Sequence, residues 1–415
     1  MATPRGRSRS SLVTLNLFMP PILVHSIAIL TSILAVAGMG YFVAALIAGL
    51  RFVASRRALE AVDSAGVTIL KSLKGNDPGM LEAFRGHCRQ AYKGEYELLF
   101  GVSSPDDPAA AAVRQLQAEF PERSIRLVVC PERLGTNGKV STLVQLLPNA
   151  RHDFLLINDS DIAVSPGYLD QIVSCFDSAA KKGRHIGKEV GMVTTLYRGR
   201  AHGTLASRLE ALGIATDFQC GVLLDRMIAG KLSYGLGATL AVQRAALEKI
   251  GGLEVLLDYL ADDYELGARV ARAGYRVELS TEVVETGVPA YRWRGFFEHQ
   301  IRWSRTVRDA SPGGYVGLIF THGLAWALLN VVANSLSPLS LCMLGASLAL
   351  RLALAVTVGA LVLNDQQVLP NLWLLPVRDL VALGTWVAGF AGNGIVWRGE
   401  HFALKNGKLH KQDPS

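Results

Sequence analysis

Forty consecutive residues near the N-terminus, 11–50, contain no Asp, Glu, Lys or Arg. No water-facing element tolerates such a stretch, whereas a helix needs roughly 20 apolar residues to cross the hydrocarbon of a bilayer. Residues 27–50 satisfy that length as a spanning helix. A cleaved signal peptide is the other reading, but its apolar region is shorter and no clear small-residue cleavage site follows here. A retained anchor is expected. The far end repeats the theme with apolar stretches at 316–336, 339–363 and 372–396, the second interrupted by Arg351 and the third by Arg378-Asp379. Nearly all charge falls between 51 and 310. The chain therefore divides into an anchor (1–51), a soluble domain (60–310), C-terminal membrane helices (311–397) and a basic tail (398–415), expected to be cytoplasmic.

Orientation is less well marked. Arg5, Arg7 and Arg9 precede the first span and Arg51, Arg56 and Arg57 follow it, so the positive-inside rule is tied. The tail residues Arg398, Lys405, Lys408 and Lys411 read as cytoplasmic. If the soluble domain shares that side, an even number of crossings separates it from the tail, and three apolar segments break the parity. The Gly-rich, His-containing segment 313–336 is the candidate for a re-entrant or interfacial piece. The net charge of +7 suits a surface resting on anionic lipid, or simply a solvated basic face; no nucleic-acid partner is expected. The five cysteines show no metal or redox spacing, and several sit in apolar runs as small core residues.

Within the soluble domain, β-rich runs alternate with helical ones. Val67-Thr68-Ile69-Leu70, residues 96–102, residues 125–130 and Phe154-Leu155-Leu156-Ile157 read as strands; helices are expected from Asp77-Pro78, after Asp107-Pro108 and over 139–147. Such alternation implies an α/β fold with a mostly parallel sheet covered on both faces, and ligands in such sheets bind beyond the carboxyl ends of the strands. The second half is more mixed, with strands expected at 190–196, 233–243 and 276–284 and helices near 204–229 and 263–273. The aromatic and basic stretch 292–308 suits a helix lying along a membrane surface.

Three places carry chemistry. In Asn158-Asp159-Ser160-Asp161-Ile162, after the fourth strand, two carboxylates flank one residue and both can face a ligand. Carboxylates so placed can hold Mg²⁺ or Mn²⁺, which keeps coordination sites for phosphate and water; the alternative is a turn that caps the helix starting at Pro166. Asp262-Asp263-Tyr264-Glu265 opens a helix, where Asp263 is either an N-cap or a general base that takes a proton from an attacking hydroxyl. Arg302-Trp303 can meet a diphosphate and wall off a sugar or acceptor, or anchor the chain at the membrane interface.

In order and spacing, Lys71-Ser72-Leu73-Lys74-Gly75, Ser104-Pro105-Asp106-Asp107-Pro108, Gly135-Thr136-Asn137-Gly138-Lys139-Val140, the Asp159 and Asp263 motifs and His299-Gln300-Ile301-Arg302-Trp303 resemble the ceramide glucosyltransferase family, glycosyltransferase family 21. The likeness extends especially to its bacterial branch, which includes hopanoid glycosyltransferases. It covers roughly residues 60–310, with the apolar ends also as expected. The resemblance implies a GT-A fold of Rossmann-like type, and an integral protein of a bacterial inner membrane with its catalytic domain cytoplasmic. It implies inverting transfer of a hexose from a UDP-sugar to a membrane lipid, with ceramide and UDP-glucose the broad expectation. Bacteriohopanetetrol with UDP-N-acetylglucosamine is the close alternative.

Carried over, Lys71, Asp107 (or Asp106), Lys139, Asp159, Arg302 and Trp303 would bind the donor, with Asp107 on the uridine. Asp159 and Asp161 would lie at the divalent cation, and Asp263 would be the base. The family signature has Gln or Arg, two residues, then Arg-Trp; here His299 takes the first position and Gln300 falls one place late. His299 could bind the cation or a phosphate, or be an ordinary interfacial residue. A processive polysaccharide synthase also combines these parts, but the missing Gln and the few C-terminal spans argue against a polymer channel. A scaffold with a decayed site is disfavoured because all three acidic positions are present.

Overall fold

The computed structural model describes residues 21–56, 65–77, 79–181, 189–397 and 399–412. Arg5, Arg7, Arg9, Arg57, Pro78 and Arg398 lie outside them. The first helix, α1 (Pro21–Ser55), is apolar on all sides, and Leu30, Ile33 and Val36 remain exposed. That is the character of a helix solvated by lipid.

The catalytic half alternates as its sequence requires: β1 (Val67–Leu73), α2 (Met80–Cys88), β2 (Tyr96–Val102), α3 (Pro108–Glu119), β3 (Ser124–Val129), α4 (Gly138–Leu146), β4 (Phe154–Ile157) and α5 (Tyr168–Lys181). These strands pair in parallel, with Leu70 facing Leu99 on one side and Ile157 on the other. Then come β5 (Val190–Ala201), α6 (Leu205–Gly213), a π-helical turn (Ile214–Phe218), α7 (Gln219–Ala229), β6 (Leu240–Gln243), α8 (Arg244–Lys249), α9 (Asp262–Arg272) and β7 (Arg276–Val288). The seven strands order as β3-β2-β1-β4-β6-β5-β7, with β6 antiparallel to both neighbours. One face packs on α2, α3 and α5 through Phe84, Val113 and Ile172. The other shares a continuous core with α1 and the C-terminal helices, joining Leu70 and Leu155 to Phe42, Phe52 and Leu354.

The strand expected over 233–243 survives only at its end. Residues before it loop back, because the backbone at Tyr234-Gly235 lies against α9 so closely that a Cβ on Gly267 would sit 2.2 Å from the Gly235 nitrogen.

After β7 comes α10 (Trp293–Ala310). The apolar segment that followed it in sequence is a broken helix: α11 (Pro312–Gly317) and a 3₁₀ turn, then α12 (Gly323–Ala333), bent by 57°. Two more apolar helices are α13 (Pro338–Ala355), continued by a π turn to Val362, and α14 (Leu375–Gly389), preceded by a 3₁₀ turn from Leu369. With α1, three helices among the described residues are long and apolar enough to cross a membrane, or four if the bent pair counts as one span.

The described residues 399–412 of the basic tail are structured. β8 (Gly394–Trp397), β9 (Glu400–Lys405) and β10 (Lys408–Lys411) form an antiparallel sheet. Ile395, Phe402 and Leu409 point to one side of it and pack with Leu260. Backbone bonds from Leu260 to Gly407 (3.0 Å) and from Leu409 to Asp258 (2.7 Å) fix it to the loop before α9. The alternation of apolar residues had been masked by four surrounding cations. Because the sheet docks on the α/β domain, both lie on one side of any membrane.

Candidate active site

A cavity of about 1250 Å³ opens at the carboxyl ends of the parallel strands and continues down to the C-terminal helices. Its upper wall holds Ser72, Ser103, Lys139, Asp159 and Asp161, its middle Asp262, Asp263, Arg302 and Trp303, and its lower wall Tyr315, His322, Arg378 and Trp386. Trp397, Glu400 and Phe402 of the C-terminal sheet close one side.

Lys139 joins the two acidic motifs. Its ammonium is 2.8 Å from Asp159 Oδ1 and 3.3 Å from Asp262 Oδ2. Burial would lower its pKa, yet the two carboxylates hold it above the ordinary value. Asn137 sets this geometry by capping α4, its side-chain oxygen accepting from the Val140 N–H at 3.2 Å. The Asn137 amide also donates to the Tyr259 carbonyl at 2.7 Å, which ties α4 to the loop before α9.

The Asp-x-Asp turn is held from below. Buried Lys71 donates to the Asp159 carbonyl at 3.0 Å, and loss of solvation pushes its ammonium down to about 7. Buried Asn158 donates to the Ala238 carbonyl at 2.7 Å and to Tyr168 at 3.1 Å. Asp161 Oδ2 accepts from the Thr286 hydroxyl at 2.6 Å and the Gly287 N–H at 2.8 Å. Burial and then the Asp159 charge raise its pKa. Among the described residues neither carboxylate bonds to the start of α5; Asp159 pairs with Lys139, and Asp161 is held by Thr286 and Gly287.

Asp263 is equally free of capping duty. The residue at the cap of α9 is Ala261, and Asp263 Oδ1 accepts only from the next N–H, that of Tyr264, at 2.8 Å. Its carboxyl group is pushed up to about 6 by burial and by Asp262, against the pull of Lys139. Gly237 lies over it; a Cβ there would come within 2.9 Å of Asp263 Oδ2. A carboxylate with that pKa in a cleft is suited to accept a proton near neutral pH.

Two expected donor residues sit elsewhere. Lys71 lies behind the cavity wall, supporting the turn. Asp107 is absent from the described lining: it caps α3 by accepting from the Ala109 N–H, and the same oxygen accepts from the Gly75 N–H, both at 2.9 Å. It thus shapes the loops around the site.

His299 also differs from a free ligand. Its Nδ1 lies 2.9 Å from Glu210 Oε2, and its ring stacks on Tyr291 and tilts against Trp303, whose centroid is 4.9 Å away. Gln300 donates to the same Glu210 oxygen at 3.2 Å and accepts from Arg378 at 2.9 Å. Arg378 in turn meets Asp217 at 2.9 Å, and Arg351 bridges Asp217 and Asp379. Glu210 and Asp217 escaped the sequence reading. Their only signal was the presence of acids in a mostly apolar helix, 204–229.

Among the described residues no three His, Cys, Asp or Glu side chains converge as a complete metal site. Asp159 and Asp161 nonetheless fit a Mg²⁺- or Mn²⁺-type ion, which commonly uses one or two carboxylates and completes its shell with phosphate and water.

The sequence profile of glycosyl transferase family 21 matches residues 30–410. Ceramide glucosyltransferase 3 of Caenorhabditis elegans is 24% identical over 82% of this chain and 72% of its own length. Ceramide glucosyltransferase 1 of the same organism is 24% identical over 57% and 49% respectively. In structure, a mannosyltransferase of Pyrobaculum calidifontis, solved with GDP-Man and Mn²⁺, superposes with a TM-score of 0.52 at 20% identity, covering 88% of this chain and 97% of that one. That likeness establishes a GT-A-type fold.

Proposed function

The chain belongs to glycosyl transferase family 21, and on that footing we propose that this membrane glycosyltransferase moves a hexose from a UDP-sugar to a hydroxyl of a membrane lipid. Ceramide with UDP-glucose is the leading pair. Bacteriohopanetetrol with UDP-N-acetylglucosamine is the second reading, favoured by the Asp159-Ser160-Asp161-Ile162 and Arg302-Trp303-Ser304-Arg305-Thr306 runs. The observation that carries the proposal is the single cavity joining Asp159, Lys139 and Asp263 to residues of the membrane helices.

The donor lies at the carboxyl edge of the sheet, with its diphosphate facing Lys139, Asp159 and Arg302. Asp159 and Asp161 would hold a divalent cation, which when bound would supply positive charge to the diphosphate leaving group. The lipid hydroxyl attacks the anomeric carbon while Asp263 takes its proton, and the bond to UDP breaks. One displacement inverts the configuration, so an α-linked donor yields a β-glycoside. Trp303, wedged between His299 and Phe218, gives the sugar a fixed flat wall. The catalytic domain and C-terminal sheet face the cytoplasm of a bacterial inner membrane, with α13 and α14 crossing and the bent α11–α12 pair re-entering, which restores even parity.

Incubating membranes that contain the protein with labelled UDP-glucose or UDP-N-acetylglucosamine, then identifying the labelled lipid by mass, tests this. One sugar on one lipid supports it. A polymer of sugars, or no labelled lipid with either donor, overturns it.

A further inference from the structure

The lower end of the cavity has a polar group that the reaction does not use. His322 stands at the break between the 3₁₀ turn ending at Thr321 and α12. It lines the cavity, is only 9% exposed, and its Nε2 is buried without a hydrogen-bond partner. Among the described cavity-lining residues it is the only one with such an orphaned side-chain atom. Burying a ring nitrogen without a partner costs on the order of 1–3 kcal/mol, a cost that a ligand atom bonding to it from this wall would remove. Its neighbours are satisfied: Trp386 Nε1 donates to the Tyr315 carbonyl at 2.8 Å, and Tyr315 OH donates to the Trp386 carbonyl at 2.6 Å.

The charges at this end define the ligand. Arg351 and Arg378 are matched by Asp217 and Asp379 through direct ion pairs, so the wall is neutral overall. A phosphate head would find neither Arg351 nor Arg378 unpaired there, and the neighbouring Glu210 carboxylate is already held by His299 and Gln300. The remaining wall is largely apolar and aromatic, with Leu318, Tyr315, Ala382 and Trp386, and the hydroxyls of Thr321 and Thr385 there are already bonded to backbone carbonyls. The chemistry that fits is an uncharged head rich in hydroxyl or amide groups, on an apolar tail entering between α11, the 3₁₀ turn and α14.

We propose that this end seats the acceptor lipid's head and that His322 Nε2 hydrogen-bonds a second polar group of it, distinct from the hydroxyl that reacts at Asp263. The inference rests on the lipid-acceptor reading above and adds a specificity-determining residue to it. His322 would then select acceptors by a group two or more atoms from the new glycosidic bond, while playing no part in donor binding.

The test compares wild type, His322→Ala and His322→Asn with short-chain ceramide and with bacteriohopanetetrol as acceptors, which separates an amide-bearing head from a polyol. For the lipid that wild type glycosylates, His322→Ala should raise the acceptor KM about tenfold, the loss of one hydrogen bond. The KM for the UDP-sugar should not move, and His322→Asn should recover part of the loss. An unchanged acceptor KM, or equal rises for donor and acceptor, overturns the assignment. Should His322→Ala fail to fold, judged by lost UDP binding, the wild-type enzyme decides. An acceptor methylated in turn at each non-reacting amide or hydroxyl should lose about tenfold at one position; no loss at any position overturns the proposal. A wild type that glycosylates neither lipid removes the acceptor reading itself, and this inference with it.

Discussion

Lys139 Nζ lies 2.8 Å from Asp159 Oδ1, one of two ion pairs through which this lysine joins acidic motifs about a hundred residues apart in the chain. The same ammonium reaches Asp262, so one cation on α4 neutralises the turn after β4 and the start of α9. A donor diphosphate entering here would meet a positive charge already fixed in place. Lys139→Met should therefore lower kcat/KM for the UDP-sugar by about a hundredfold, comparable to removing one preorganised charge-stabilising donor. Steady-state kinetics at varied donor concentration check it. A loss below about threefold would mean that Lys139 only balances the acids.

Asp263 makes a prediction with two signs. As a base it must be ionised, and its pKa is pushed up to about 6. Transfer should fall as pH drops through about 6, and Asp263→Asn should abolish transfer while leaving UDP affinity nearly unchanged. Stability runs the other way. A carboxyl group whose pKa is higher folded than unfolded binds its proton more tightly in the native state. Its favourable contribution at low pH is lost as pH rises from the unfolded value through about 6. Asp263→Asn, which cannot ionise, should thus melt at a higher temperature than wild type at pH 7.5, and the difference should shrink at pH 5. Full turnover by this variant removes Asp263 from the base role.

Much of this site could be read from the chain because its parts follow strands. The runs at 96–102 and 154–157 are strands whose apolar residues leave no other burial, and Asp159 and Asp161 fall directly after one of them. What stayed hidden was pairing across distance. Lys71 and Asp107 lie in motifs, but the contacts that make them supports for neighbouring loops come from residues 88 and 32 positions away. Glu210 gave no local sign that it would anchor both His299 and Gln300. The C-terminal strands were concealed by their lysines, since alternation with cations on one face resembles a solvated tail.

The cation should matter through Asp159 and Asp161 together, since the described residues offer no further acid or His to complete a site. Treatment with a chelator should reduce transfer, and Mn²⁺ or Mg²⁺ should restore it. Asp161→Ala should raise the metal concentration needed for half-maximal rate by about tenfold or more, in line with loss of a supporting ligand. The variant also frees the Thr286 hydroxyl and Gly287 N–H, so the readout is metal dependence at saturating donor and not rate alone. An unchanged requirement would leave Asp161 as a structural link between the turn and β7.

Arg351 and Asp379 give the last test, one of the coupling between membrane helices and catalytic half. The guanidinium of Arg351 on α13 lies 2.8 Å from Asp379 on α14 and also donates to the Thr216 carbonyl at 2.8 Å in the π turn of the soluble domain. All three groups are out of water, where leaving one ion without its partner costs about 3–5 kcal/mol. Arg351→Met should therefore lower the melting temperature in detergent sharply, and Asp379→Leu should do likewise. Their combination should cost much less than the sum, because it removes both buried charges of the pair. Asp217 would keep Arg378 in the double variant, and Arg378 would keep Gln300, so the support of α10 survives. Transfer activity should then return with stability. If the double variant is stable but inactive, Arg351 contributes to catalysis through its grip on the π turn as well as to assembly.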